Sequence, residues 1–183
     1  MRNLGSHICG GSIINQNQVI TAAHCVEGAL PIMDTVSSIS SVFTIYTFSQ
    51  VIAGAHNRIL EGGHQKRHIE SMEAHADHNN PRFNNDVAII TVTEPFDFSD
   101  PNVQPIAMFM SDDSEIPANT ICNATGWGIL YGSPFATPPN ALQWIQIPVL
   151  SHQDCETLHS GYITDGMVCA GSSGHTTCNV SAV

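Results

Sequence analysis

An all-β protein folded in two lobes is the class this sequence predicts, and three observations carry that expectation. The first is a series of short apolar segments rich in β-branched residues, "GGSIINQNQVITAAHC", "QVIAGAHN", "DVAIITV", "TICNATGWG", "QWIQIPVL" and "GMVCAG", separated by Gly, Pro, Asn and Ser. Val and Ile suit a pleated, half-buried strand, and the punctuating residues supply the turns. The second is that no segment keeps a long apolar period of about 3.6 residues and no block of about 20 to 50 residues repeats, so helix should be scarce. The third is the stretch from Pro95 to Pro117, with Pro101 and Pro105 between, which reads as an extended linker. It separates an N-terminal lobe, residues 1–105, from a second lobe, residues 106–183, whose strands begin near Ile121. A cleft between two such lobes is where functional side chains would meet.

Composition narrows the partners. The chain has 183 residues, 42% of them hydrophobic, enough to fill a sizeable core. Sixteen acidic against five basic side chains give a formal charge of −11, which repels phosphate backbones and anionic lipid; neither nucleic acid nor a membrane surface is an expected partner. Apolar runs break well short of a span of about 20 residues, so no transmembrane helix is expected, and "MRNLGSH" lacks the apolar core of a signal peptide. Six cysteines (Cys9, Cys25, Cys122, Cys155, Cys169 and Cys178) are even in number and form no Cys-x-x-Cys pair, which favours disulfides in an oxidising compartment. The sequon Asn123-Ala124-Thr125 agrees with secretion, and an export signal would then lie outside these residues.

Taken in order, the segments place the chemistry. "VITAAHC" ends a β-branched strand at His24, beside a cysteine that could clamp the loop to Cys9. "NNDVAII" sets Asp86 at the mouth of another apolar strand, where a carboxylate could be buried and orient an imidazole.

Read together, "CGGSII", "ITAAHC", "NNDVAII", "TGWG" and "DGMVCAG", in that order, resemble the chymotrypsin-like serine endopeptidases of the trypsin fold, over almost the whole chain. "GAHN" and "YITDGMVCAG" look most like arthropod digestive chymotrypsin-like or collagenolytic members. The resemblance implies a two-lobed antiparallel β-barrel, incomplete in its second barrel, that acts on polypeptide substrates, is met by protease inhibitors and needs no cofactor. It implies that His24 is general base and acid and that Asp86 fixes its tautomer. It implies disulfides Cys9–Cys25 and Cys155–Cys169, and leaves Cys122 and Cys178 as thiols whose family partners lie further downstream. It makes Thr176 the residue that reads the specificity pocket, a neutral side chain that favours apolar over basic substrates.

The same resemblance predicts a Gly-Asp-Ser-Gly-Gly run after Cys178, carrying nucleophile and oxyanion hole. The residues there are Asn179 to Val183; Ser181 stands three positions after the cysteine rather than four and has no flanking glycines. The expectation is a catalytically incomplete chain, with no Ile-Val-Gly-Gly-type amino terminus either. Two alternatives belong to other classes: a non-catalytic homologue that binds partners through its cleft, or a non-functional product of a faulty gene model. Val36 to Gln50 is a Ser/Ile/Thr run that matches no family motif; it and the residues from Val180 onward both open with Val-Ser, the in-frame reading of a common splice donor, and are read as translated introns, the alternative for Val36 to Gln50 being a genuine surface insertion. Five histidines, His56, His64, His68, His75 and His78, crowd one stretch; they are read as solvated loop residues rather than a zinc site, and Glu61 alone beside His56 and His64 makes calcium doubtful.

Overall fold

A computed structural model describes residues 2–3, 6–27, 50–59, 62–108, 116–129, 137–159 and 162–171. The strands are β1 (Arg2–Asn3), β2 (Ser6–His7), β3 (Ser12–Ile13), β4 (Gln18–Thr21), β5 (Gln50–Ala53), β6 (Gln65–Ala74), β7 (Ala88–Val92), β8 (Ile121–Gly126) and β9 (Gln143–Pro148). One 3₁₀ turn, Ala23–Cys25, and one α-helix, α1 (His152–His159), complete the described elements. The sheets are antiparallel throughout. Seven strands run in the order β2-β1-β5-β6-β7-β4-β3, and β8 pairs with β9 in a second sheet.

Period-2 patterning builds the first lobe. Val19 and Thr21 of β4 point inward, as do Ala88, Ile90 and Val92 of β7, and the register sets Val19 opposite Ile90 and Thr21 opposite Ala88. Val51 and Ala53 of β5 join the same buried cluster from the other side of β6. Strands that are not neighbours can share one core only if the sheet curls, which is the geometry of a β-barrel lobe. Thr21, fully buried, donates its hydroxyl to the Gly10 carbonyl at 2.8 Å, which removes the cost of a polar group in that core. Gly11 is required by space: a Cβ there would lie 2.8 Å from Val19 Cγ1 and 3.0 Å from the Ile20 carbonyl oxygen.

The longest strand is one that the sequence does not announce. β6 reads "QKRHIESMEA" and yet lies between β5 and β7 in the sheet. Its inward residues are Gln65, Arg67 and Ile69 before a bulge, then Met72 and Ala74 after it, because Glu70 is the extra residue between the pairs Ile69–Val92 and Ser71–Thr91. The bulge shifts the alternation by one, and a strict period-2 pattern is lost. α1 is also unannounced by apolar period; Ser151 caps it, its Oγ accepting from the Asp154 N–H at 3.1 Å and donating to Asp154 Oδ2 at 2.6 Å.

The segment after Pro95 is less a linker than expected. Phe96 and Val103 are each 1% exposed and belong to the first-lobe core, and the Phe96 and Ile106 N–H groups donate to the Gln16 and Ile13 carbonyls. From the 36–50 run only Gln50, in β5, lies within the described residues. The lobes meet where the Trp127 indole N–H and the Leu142 N–H both donate to the His56 carbonyl, and a cavity of about 620 Å³ opens beside them, lined in part by Ile8, Gly11, Trp127 and Leu142.

Candidate active site

Two local structures bring His24 and Asp86 together. His24 occupies the middle of the 3₁₀ turn that follows β4. Its neighbours Ala23 and Cys25 are buried, and Cys25 is bonded to Cys9 with a Cα–Cα distance of 6.3 Å, so the turn is pinned from inside and the histidine is left facing out. Ala23 has no exposed surface, in keeping with a small apolar residue at that position of "TAAHC".

Asp86 comes from the loop between β6 and β7. The His75 N–H donates to the Val87 carbonyl at the base of the loop, and the Asn79 N–H to the Asn84 carbonyl further along. Asn79, Phe83 and Asn85 have φ of 63°, 69° and 54°, a region that asparagine tolerates and phenylalanine does not. The Phe83 N–H donates to Asn79 Oδ1 at 2.8 Å, and Asn85 Nδ2 donates to the Asp77 carbonyl at 3.2 Å. Asn84 Oδ1 accepts from the Thr164 hydroxyl at 2.7 Å and ties the loop to the second lobe. Strain of this kind persists only where surrounding bonds over-determine the conformation.

The resulting geometry is specific. Asp86 Oδ2 lies 2.6 Å from His24 Nδ1, and Asp86 Oδ1 accepts from the His24 backbone N–H at 2.8 Å. Both carboxylate oxygens thus engage His24, which fixes ring orientation and places the Nδ1 proton toward Asp86. The imidazole is 59% exposed, and its Nε2 lies 3.5 Å from Cys25 Sγ. Burial alone would raise the Asp86 carboxyl, but the hydrogen bonds from His24 and the charges of His24 and His78 outweigh it, and the group is held below its ordinary value.

The remaining residues singled out from the sequence are dispersed. Cys155 and Cys169 are joined, linking α1 to the segment that precedes Ala170. Cys122 is half-buried on β8, opposite Ile147, and is unpaired among the described residues. Asn123 is exposed on the same strand, its Oδ1 accepting from Gln146 Nε2 at 3.2 Å. Thr176, Cys178, Ser181 and Glu61 lie outside the described residues.

Three of the histidines, His78, His68 and His64, depart from the expectation of solvated loop residues. His78 is not a solvated loop residue: its side chain is 9% exposed, its Nδ1 lies 2.9 Å from Glu27 Oε1 and its Nε2 lies 3.5 Å from Asp86 Oδ1. Neither His78 nor Glu27 is identified as a site residue by the sequence reading, because the two are far apart along the chain and a histidine in a polar loop carries no periodic signal. His56 is exposed, His68 projects from β6, the His75 ring accepts from the Asp77 N–H, and His64 Nδ1 is buried without a partner among the described residues.

A two-lobed antiparallel β-protein that carries a carboxylate-aligned imidazole just after a strand has the chymotrypsin-like serine protease fold. A family model described as "Trypsin" matches residues 1–180, and the chain belongs to the trypsin family. It is 32% identical over 170 residues to "Trypsin-2" and "Trypsin-1" of Salmo salar, and likewise to "Serine protease 1" of Rattus norvegicus. Each alignment covers 92% of this chain but only 63%, 60% and 59% of the respective relative. The chain therefore spans about three fifths of the length of these curated relatives. None of the three is an arthropod protein, and the arthropod resemblance gains no support from them. Among the described residues, no helix is long and apolar enough to cross a membrane.

Proposed function

We propose that the chain carries the acid–base half of a serine endopeptidase site, with His24 as general base and acid and Asp86 as the residue that orients it. The supporting observation is the double commitment of Asp86 to the His24 ring and backbone N–H. With its proton held on Nδ1, the neutral ring presents a lone pair at Nε2. That nitrogen takes the proton of an attacking hydroxyl and returns it to the leaving amine, while Asp86 stabilises the imidazolium formed between the two steps. The substrates are polypeptides and the competing ligands protease inhibitors. The family resemblance assigns the specificity pocket to Thr176, a neutral residue that would favour apolar substrate side chains, and the Cys9–Cys25 and Cys155–Cys169 bonds fit a protein that works outside the cell.

The nucleophile belongs to the Gly-Asp-Ser-Gly-Gly run of the family, which does not occur among residues 1–183. The 183-residue polypeptide by itself is therefore proposed to be inactive, since base and orienting carboxylate without nucleophile and oxyanion hole retain little rate enhancement. Two measurements test the reading. Incubated with a peptide substrate bearing an apolar residue before the scissile bond, the 183-residue polypeptide should show no hydrolysis above background; inhibitor-sensitive hydrolysis with covalent labelling at Ser181 would refute its inactivity. Sequencing the spliced transcript should reveal the serine run, and the corresponding product should hydrolyse the same peptide and lose that activity in a His24→Ala variant. A His24→Ala variant of full activity sinks the assignment of the base.

A further inference from the structure

We propose that His78 is a positioning residue of this site, a second imidazole that braces Asp86 and is itself aligned by Glu27, so that the site is a chain of four groups, Glu27, His78, Asp86 and His24. The inference rests on the reading of His24 and Asp86 as base and orienting carboxylate. Two segments supply the members: His24 lies in the 3₁₀ turn and Glu27 just after it, while His78 and Asp86 both stand in the loop between β6 and β7. Asp86 Oδ1 is shared, accepting from the His24 N–H at 2.8 Å and facing His78 Nε2 at 3.5 Å. Glu27 Oε1 lies 2.9 Å from His78 Nδ1.

Both nitrogens of the His78 ring thus face carboxylate oxygens. A neutral imidazole has one N–H and one lone pair, so in either tautomer it turns a lone pair toward a carboxylate; only the doubly protonated ring offers N–H to both. The side chain is only 9% exposed while Glu27 is 56% exposed, so Glu27 acts as the solvent-side anchor and His78 as the inner contact. The carboxylates of Glu27 and Asp86 are the charged groups that face this ring among the described residues, and the charge of His78 is one of the influences that hold the Asp86 carboxyl below its ordinary value. An N–H at Nε2 held against Oδ1 draws electron density from Asp86 and weakens it as an acceptor for the His24 Nδ1 proton. His78 therefore sets how strongly Asp86 pulls on the base.

Nuclear magnetic resonance of the 183-residue chain reads this directly, whether or not the chain hydrolyses anything. The His24 Nδ1 proton donated to Asp86 is expected at low field, and the carbon-bound ring protons of His24 give a second signal that does not depend on exchange. Replacing His78 by Phe should move the Nδ1 resonance further to low field, because Asp86 regains acceptor strength. Glu27→Gln, at an exposed position whose ion-pair partner among the described residues is His78, should move it the same way by less, with the thermal midpoint little changed. In the His78→Phe background, Glu27→Gln should add nothing. A Glu27→Gln chain whose His24 signals stay in place, or a shift that persists undiminished without His78, overturns the proposal. An Asp86→Asn chain whose His24 signals do not move refutes the pairing of His24 with Asp86 itself, a separate failure that leaves His78 nothing to position.

Discussion

Asp86 combines most of the local physics of this protein in one side chain. Its carboxyl is held below the ordinary value of 3.8 by bonds made only in the folded state. The folded chain therefore binds fewer protons than the unfolded one as pH falls through this range. The stabilisation from Asp86 is present above about pH 3.8 and is lost as pH falls below it, through the lower folded value. Thermal unfolding should show the wild-type chain more stable than Asp86→Asn at neutral pH, with the gap closing below about pH 4; a gap that widens in acid would contradict the assignment. Thr21 is the complementary case in the core. Thr21→Val keeps the shape but removes the hydroxyl that satisfies the Gly10 carbonyl, and it should cost about 1 kcal/mol in denaturant unfolding.

Elements follow the sequence where one rule suffices and depart from it where two rules compete. β4 and β7 alternate cleanly and are legible as strands. β6 conceals the same alternation behind the bulge at Glu70, and its polar composition reflects a strand with one face in solvent. α1 is too short and too polar to show a helical period, and its legible signal is the Ser151–Asp154 cap. Ser151→Ala should destabilise α1 by about 1 kcal/mol, seen as faster amide exchange over residues 152–159. Exchange as slow as in the wild type would show that the Cys155–Cys169 bond, rather than the cap, holds this helix.

Across the whole molecule, the two sheets are unequally supported. The first encloses a core drawn from β4 to β7, whereas the β8–β9 pair exposes Ile121 and Trp144 on its outer face, at 57% and 68%. Two large apolar side chains exposed on a sheet of two described strands make a site for association. The 183-residue chain should self-associate in sedimentation, and Trp144→Ser should weaken that association at least about tenfold, since covering one large aromatic side chain contributes about 1.5–3 kcal/mol. A monodisperse monomer at high concentration would count against this. The sequence by itself determined the all-β class, the family and the positions of His24 and Asp86, because each rests on local pattern: alternation for the strands, short ordered motifs for the two side chains. Tertiary structure alone decided the rest. It set both oxygens of Asp86 against His24, drew Phe96 and Val103 from an apparent linker into the first core, and brought Glu27 to His78 across the chain, because contacts made by folding between distant segments leave no periodic trace in either segment.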